Sequence, residues 1–511
     1  MTTPIVKIEP KKRIIQFLWI ISLSILFAYG FLAMNAGLKL SDTYSDPQAD
    51  QAALQIRNQA DHNETINHDV TSEILPLWLN LSAKFGTDQF VYGSDGAMDS
   101  FIYYFQMSRL DKFVLSGHMM LGMIIMIFGA LQFWPTFRKK YPKIHRYIGA
   151  TYLIAAFSSM ALSVHHLIVT GPDNTFGGFA FYVGLWLLAI SATGALLASI
   201  YYIKKKDILR HMGWQTVAFG FFLTAPLQRV NWIILPYFFS GQTSFNEMNY
   251  LVNVILLIEA SLVGYLIFFI NRNSINSEAS VILPSPKHMQ HNTSTTLKVI
   301  TISLAVFALG IFAYFNVFAP GFENHHTTQT LFPKTLVAAD QSIHLNTTLN
   351  IAFAFLSCCL VTLIVFWFVQ PLAFMKRNMG FALVGLSLVL ATILWYWATI
   401  IGLPNHAVSA GGTFFALIGS LMALFSLLSL WAMNSGRYYL FNEFLFFLLA
   451  AAIAIPMVYV SAFVINSIGL VPDRFIDLGH GYQIAVIGAI FPSILIAIVH
   501  SIYSTPSKKP T

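Results

Sequence analysis

The chain has 511 residues, of which 56% are hydrophobic, 15% aromatic and only 10% charged, and its formal net charge is +7. A soluble domain carries about a quarter charged residues, so this composition excludes a soluble globular protein, and the hydrophobicity excludes a disordered chain. The two adjacent cysteines exclude a disulfide framework and a four-cysteine zinc site. We therefore expect an all-α polytopic membrane protein.

Twelve apolar runs along the chain are each long enough to cross a bilayer as a helix, which takes about 20 residues. They span residues 14–35, 113–134, 147–169, 178–203, 212–239, 250–271, 299–319, 349–375, 379–402, 413–434, 438–466 and 480–503. The first run is too long for a signal-peptide core and no small-residue cleavage site follows it, so we expect a retained helix.

The basic residues predict the orientation of these spans. With both termini cytoplasmic, the inner segments hold 21 of the 29 Lys and Arg, whereas the outer segments hold seven and carry 17 of the 22 acids. The positive charge is therefore a topology signal, not a nucleic-acid footprint. We expect a multi-pass protein of a bacterial cytoplasmic (inner) membrane, with both termini inside.

The spans divide the chain into five predicted segments. These are an N-terminal tail with the first span (1–35), an acidic extracytoplasmic loop (36–112), the motif-bearing spans 2–6 (113–271), a cytoplasmic linker (272–298) and spans 7–12 (299–511). The two six-span blocks have the parity of a parallel repeat. Pro135 and Gly149 of the first block are matched by Pro371 and Gly385 of the second block, and both pairs are separated by the same number of residues along the chain. We predict a degenerate repeat on that basis, with chance matching of common membrane residues as the alternative.

Rare polar residues concentrate in spans 2–6, and a polar residue at membrane depth is a functional candidate. The pattern contains these motif residues: His118, Gly122, Gly129, Gln132, His145, Arg146, Gly149, Tyr152, His211, Trp214 and Arg229. Over roughly residues 110–235 it resembles bacterial multi-pass membrane proteins of domain of unknown function 2306. The chain departs from that pattern after Trp214, where Gln215-Thr216-Val217 replaces the family's usual Met-x-Arg. The resemblance implies a membrane protein and no established activity.

Histidines in two layers favour a redox protein with haem b, because bis-histidine ligation needs two His from different helices at one depth. His118 with His165 or His166 forms the predicted outer layer, and His145 with His211 forms the inner layer. Against this interpretation, His145 and His165 are 20 residues apart on one helix, or about 30 Å, which is long for electron transfer.

Two other chemistries compete for the same residues. His145-Arg146 and Arg210-His211 each begin a helix, where free N–H groups attract an anion or a quinone headgroup. Lipid anchoring explains basic residues there equally well. At the outer face, His118 and a stripe of Met119, Met123 and Met126 suit a soft metal ion, although such stripes usually only pack.

Arg229 and Glu259 lie at similar depth on consecutive spans, so we predict an intramembrane charge pair, either structural or serving a substrate.

The function that best fits these patterns is an integral membrane redox protein using haem b or a quinone. A secondary carrier for a small solute and a structural or assembly factor without catalysis are the alternatives. No Walker loop, Rossmann fingerprint or HExxH motif is present, which excludes ATP hydrolysis by this chain alone.

Overall fold

A computed structural model describes residues 9–42, 47–94, 96–239, 243–276, 295–324, 332–369, 377–402 and 411–505. Within these ranges the protein is helical and contains no β-strand. Eleven of its helices are long and apolar enough to cross a membrane. The protein is therefore an all-α polytopic membrane protein, as the composition predicts.

The helices of the N-terminal part begin with one long span and continue with short helices of the acidic loop. In order they are α1 (Glu9–Asp42), α2 (Pro47–Asp61), α3 (His68–Ile74), α4 (Leu77–Phe85), α5 (Asp88–Tyr92) and α6 (Met98–Gln106). Caps delimit these short helices, because the side chains of Asn67 and Thr87 accept hydrogen bonds from the first-turn amides of α3 and α5. The loop is thus a folded helical layer.

The motif-bearing spans follow. They are α7 (Arg109–Phe133), the short α8 (Pro135–Lys140), α9 (Pro142–Thr170), α10 (Gly178–Lys204), α11 (Ile208–Phe222), α12 (Thr224–Ile234), α13 (Pro236–Phe239) and α14 (Phe245–Asn276). The predicted fifth span is one membrane-crossing stretch divided into α11, α12 and α13. Pro226 and Pro236, which lack the N–H that an α-helix interior needs, lie near the two breaks.

The C-terminal part contains α15 (Thr295–Ala313), which ends in a π-helical turn, Tyr314–Phe318, and a 3₁₀ turn, Phe322–Asn324. It continues with α16 (Lys334–His344), α17 (Thr347–Val369), α18 (Arg377–Ile401), α19 (Gly411–Asn434), α20 (Tyr438–Ser467), a 3₁₀ turn at Asp473–Phe475 and α21 (His480–Ser504). The predicted seventh span falls on α15, whose apolar described stretch Val306–Phe318 is too short to count as a span. Eleven spans are therefore assigned where the sequence predicts twelve.

The described chain forms two compact units. Unit 1 comprises Met1–Asn174, Trp186–Tyr237 and Val263–Ile275, and unit 2 comprises Thr175–Leu185, Phe238–Leu262 and Asn276–Thr511. In unit 1, α7 packs against α1, α9 and α11, and α4 packs on α12. In unit 2, α18 to α21 pack in sequence, and α16 packs on α18 and on the 3₁₀ turn at Phe322.

The predicted repeat stays a prediction, and one of its matched residues, Pro371, lies outside the described ranges. Most of the predicted linker, residues 277–294, also lies outside them.

Candidate functional site

His118 on α7 is held in one orientation by Ser159 on α9. Its Nδ1 lies 3.0 Å from the Ser159 carbonyl oxygen and 2.9 Å from the Ser159 hydroxyl. A carbonyl oxygen only accepts, so Nδ1 must carry the proton in the first of these hydrogen bonds. The neutral ring then has its lone pair on Nε2, which is the nitrogen that can bind a metal or accept a proton.

The same arrangement occurs a second time, at His211 on α11. Its Nδ1 lies 3.0 Å from the Ser199 carbonyl oxygen and 2.9 Å from the Ser199 hydroxyl. That hydroxyl donates its own proton to Gln215 Oε1 at 2.6 Å, so it can only accept from the imidazole. Nδ1 of His211 is therefore protonated, and Nε2 again carries the lone pair.

A second histidine lies close to each of these. His166 interacts electrostatically with His118, and its ring centroid lies 6.4 Å from that of Tyr104. His165 has a different environment, because its Nε2 lies 3.2 Å from Asp111 Oδ1 and its side chain is 43% exposed. Of the two histidines predicted beside His118, His166 is thus the one more enclosed by protein. We call His118, His166 and Tyr104 the His118 cluster.

At the other end of α9, His145 interacts electrostatically with His211 and with Arg138. Within the described ranges, Nδ1 of His145 is buried and has no hydrogen-bond partner. Gln132 fixes the start of this helix, because its Nε2 donates to the His145 carbonyl at 2.9 Å. We call His145, His211 and Arg138 the His211 cluster.

Gly149 lies opposite Gln132 and leaves room for it. A Cβ at position 149 would lie 3.1 Å from Gln132 Oε1, closer than most real Cβ contacts. The spacing Gln132, His145, Gly149 therefore has a physical cause: the amide crosses from α7 to the first turns of α9 over a residue without a side chain.

The sequence did not indicate Arg138 as a member of this cluster, because it lies among basic residues that are explained by their position on the cytoplasmic side of the membrane. The Pro at the first position of α8 begins a separate short helix, on which Arg138 is placed. Its Nη1 lies 3.9 Å from the sulfur of Met212, and burial lowers the pKa of its guanidinium. A positive charge is therefore present beside both histidines.

The two predicted anion-binding arginines have different surroundings. Arg146 is exposed. The guanidinium of Arg210 contacts Asp207 at 2.8 Å, and Asp207 also caps α11 by accepting from the Arg210 amide at 3.1 Å. Arg210 further lies over the ring of Tyr202, 5.8 Å from its centroid. Part of its hydrogen-bonding capacity is thus used within the protein, and an anion site at these two residues stays a prediction.

Tyr152 and Trp214 are the remaining motif residues. Tyr152 is 1% exposed and lies beside Gln215, with its ring 6.4 Å from Phe219. Nε1 of Trp214 is buried without a hydrogen-bond acceptor among the described residues, and the same holds for Trp134. Trp214 follows His211 by three residues on α11, so one indole N–H without an acceptor among the described residues lies close in sequence to the His211 cluster.

Arg229 on α12 is bound by neutral groups of unit 1. Its Nη1 donates to Gln228 Oε1 at 2.8 Å, and its guanidinium lies 5.8 Å and 5.2 Å from the ring centroids of Trp78 and Trp232. These cation–π contacts stabilise a charge in a partly desolvated layer. Glu259 lies in the part of α14 that belongs to unit 2, and its pairing with Arg229 stays a prediction.

Arg229 also faces the His118 cluster. It interacts electrostatically with His118, Tyr104 and Tyr29. Burial raises the pKa of Tyr104, which therefore remains protonated at neutral pH. The short helix α6 thus contributes a hydroxyl to this site, a contribution that the acidic loop's composition did not reveal.

The separation of the two clusters follows from the contact at Ser159. This residue marks the depth of His118 on α9, fourteen residues from His145, or about 21 Å at 1.5 Å per residue. This distance is shorter than the 30 Å expected between His145 and His165, because His118 contacts α9 at Ser159, about two turns before His165. Among the described residues, no three His, Cys, Asp or Glu side chains group as a metal site would require.

The fold and this site define a polytopic membrane protein with two partly buried histidine clusters in its N-terminal unit. The model of a family described as "Predicted membrane protein (DUF2306)" matches residues 115–268. This match confirms the resemblance and extends it to α14. No curated protein and no solved structure matches the chain.

Proposed function

We propose that unit 1 is a redox module that binds haem b at the two histidine clusters. His118 with His166, and His211 with His145, would hold the two haem groups through their imidazole rings. Haem bound in this way supplies one-electron transfer.

The observation that carries this proposal is the repeated histidine–serine arrangement. Haem-ligating and metal-ligating histidines typically donate their other N–H to a carbonyl or carboxylate, which fixes the ring and increases its basicity. Both His118 and His211 do this, with matching distances, to Ser159 and Ser199 on neighbouring helices. A histidine that served only packing would have no need of the same partner geometry at both sites.

Arg138 supports the proposal independently. Haem carries two propionates, which need cations or hydrogen-bond donors, and the His211 cluster offers a partly buried guanidinium near both histidines. The separation of about 21 Å along α9 is shorter than the 30 Å between His145 and His165 that counted against haem in the sequence.

The absorption spectrum of the purified full-length protein tests the proposal. We expect a Soret band, α and β bands on reduction with dithionite, and a pyridine haemochrome of the b type. His118→Ala and His211→Ala should each lose about half of the bound haem. His62→Ala, at an exposed loop histidine, is the matched control and should retain the full content.

A protein that is colourless and free of haem iron when expressed in a haem-replete host would refute haem binding.

A quinone is the second candidate for the His211 cluster, because the donors Arg138, Trp134 and Trp214 suit a carbonyl acceptor. Solvent extraction of the colourless protein, followed by chromatography, would then detect co-purified quinone, and Trp214→Phe should reduce it.

A secondary carrier is a further candidate, favoured by buried amides in unit 2. Asn253 and Gln483 are 4% and 1% exposed, and Nε2 of Gln483 and Nδ2 of Asn253 have no acceptor within the described chain. Unpaired amides at membrane depth are typical of solute pathways. A thermal-shift screen with ions and small solutes tests this candidate: a stabilising solute should lose its effect in Gln483→Leu and keep it in Ser467→Ala, at an exposed serine.

We also propose that the protein resides in a bacterial cytoplasmic membrane with both termini inside. The charge asymmetry of the loops supports this orientation.

A protein with no haem, quinone or solute would be best explained as a structural or assembly factor.

A further inference from the structure

A buried acid and a buried histidine face each other in unit 2, on the short helix α16 that precedes α17. Asp340 and His344 lie one turn apart, with Oδ1 of the acid 3.9 Å from Nε2 of the imidazole. Their side chains are 6% and 5% exposed. Neither residue belongs to the motif described above, and the sequence analysis assigned no role to either.

The hydrogen bonds of this pair are incomplete. Oδ2 of Asp340 accepts the Phe322 amide at 2.8 Å, which fixes the carboxyl to the 3₁₀ turn. In contrast, neither ring nitrogen of His344 has a hydrogen-bond partner in the described part of the chain. An imidazole buried to this extent normally has its N–H satisfied, because leaving it unpaired costs about 1–3 kcal/mol.

The surroundings of the pair are aromatic. The Phe322 ring lies 4.8 Å from that of Tyr459 and 6.1 Å from that of Tyr482, and the His344 ring lies 6.3 Å from Trp397. Gly321, at φ +75°, closes the remaining side, since a Cβ there would lie 2.7 Å from Asp340 Oδ2. A net charge in this shell is therefore poorly solvated.

The titratable groups that face Asp340 are few. They are His344 on its own helix, Tyr459 on α20 and Tyr482 on α21, and both phenols interact electrostatically with the carboxyl. From the 3₁₀ turn, Glu323 is exposed, and α18 contributes the uncharged Trp397. No cation among the described residues is paired with Asp340, so the imidazole is the one group placed to share its proton.

We propose that Asp340 and His344 together form a proton-binding site, which holds one shared proton at neutral and mildly acidic pH. With one proton the pair has no net charge, either as two neutral groups or as an internal ion pair. Loss of that proton leaves one negative charge in the aromatic shell, and gain of a second leaves one positive charge, and both are disfavoured by desolvation.

The direction of both titrations agrees with this site. Burial raises the pKa of Asp340 to about 7 and lowers the pKa of His344 to about 4. Both shifts favour the form in which Asp340 is protonated and His344 is neutral. Between these two pKa values the site stays singly protonated, and it releases its proton as the pH rises past neutrality.

Infrared difference spectroscopy of the full-length protein in detergent tests the proposal. A protonated carboxyl in an apolar site gives a carbonyl-stretch band that shifts in D₂O. We expect such a band to disappear with a midpoint near pH 7, about three units above an exposed Asp. Asp340→Asn should abolish it, whereas Asp69→Asn, at an exposed acid on α3, should leave it unchanged.

His344→Gln provides a second measurement that does not depend on the folding of Asp340→Asn. Gln cannot take up the proton, so the singly protonated site loses its form with a protonated imidazole and the midpoint should move downward, by about 0.3 pH unit where the proton is shared equally. His62→Gln is its control. A carboxyl band that titrates only below about pH 5, or one that neither Asp340→Asn nor His344→Gln changes, would overturn the proposal.

Discussion

Gly129 and Gly122 on α7 are both glycines of the family motif, but the structure gives them different roles. A Cβ at position 129 would lie 2.6 Å from Cδ2 of Phe219, closer still to Cε2, and 3.0 Å from Tyr152. A Cβ at position 122 would meet nothing within 4 Å. We therefore predict that Gly129→Ala destabilises the protein and Gly122→Ala does not.

The magnitude follows from the packing around Phe219. Its ring is 2% exposed and lies 5.1 Å from Phe133 and 6.4 Å from Tyr152, so it cannot move aside without displacing other buried rings. Overpacking of this kind costs about 1–3 kcal/mol. Replacing Gly by Ala in a helix gains up to about 1 kcal/mol in helix propensity, and both variants share this gain. The difference between the unfolding free energies of Gly129→Ala and Gly122→Ala therefore measures the steric clash at position 129.

The assay is thermal or denaturant unfolding of the two purified variants and the wild type in one detergent. Gly129→Ala should unfold first, and Gly122→Ala should be equal to or more stable than the wild type. Phe219→Leu, introduced into Gly129→Ala, should recover part of the loss because it removes the ring atoms nearest to the new methyl group. Equal stability of both single variants would refute the contact between α7 and α11.

Four further predictions concern charge. If Arg229 and Glu259 pair, each single variant Arg229→Met or Glu259→Gln should lose about 3–5 kcal/mol, and the double variant should recover much of it; additive losses in unfolding experiments would exclude the pair. Burial raises the pKa of Asp340 to about 7, so the stability gained from its protonation decreases as the pH rises from about 4 to about 7, by at most about 4 kcal/mol in all. A plot of Tm against pH should show this decrease for the wild type and not for Asp340→Asn. The lowered pKa of His344 acts in the opposite sense, so His344→Gln should remove a loss of stability that appears as the pH falls from about 6.5 to about 4. A reporter fused at residue 50 should be active only outside the cytoplasm, and a cytoplasmic signal there would contradict the whole orientation.

Several properties of this protein are readable from the chain because they depend on local composition. The length and apolarity of each run predict a helix, since a spanning segment must satisfy its own backbone. Gln132, His145 and Gly149 belong to the motif recognised in the sequence, and the structure joins Gln132 to His145 through one hydrogen bond. The break of the fifth span near Pro226 was also visible in principle, because proline cannot donate within a helix.

The partners of the buried polar residues were decided only by the tertiary structure. In a bilayer most faces of a helix are apolar, so the hydropathy pattern does not fix how each helix is rotated or how far it slides along its neighbour. Ser159 gave no signal as the partner of His118, 41 residues away, and Arg138 was indistinguishable from the exposed lysines beside it. The pairing of Asp340 with the Phe322 amide likewise depends on a 3₁₀ turn 18 residues earlier in the chain. The sequence therefore determined that the chain forms apolar helices able to cross a membrane, whereas helix rotation and axial register decided which polar atoms meet.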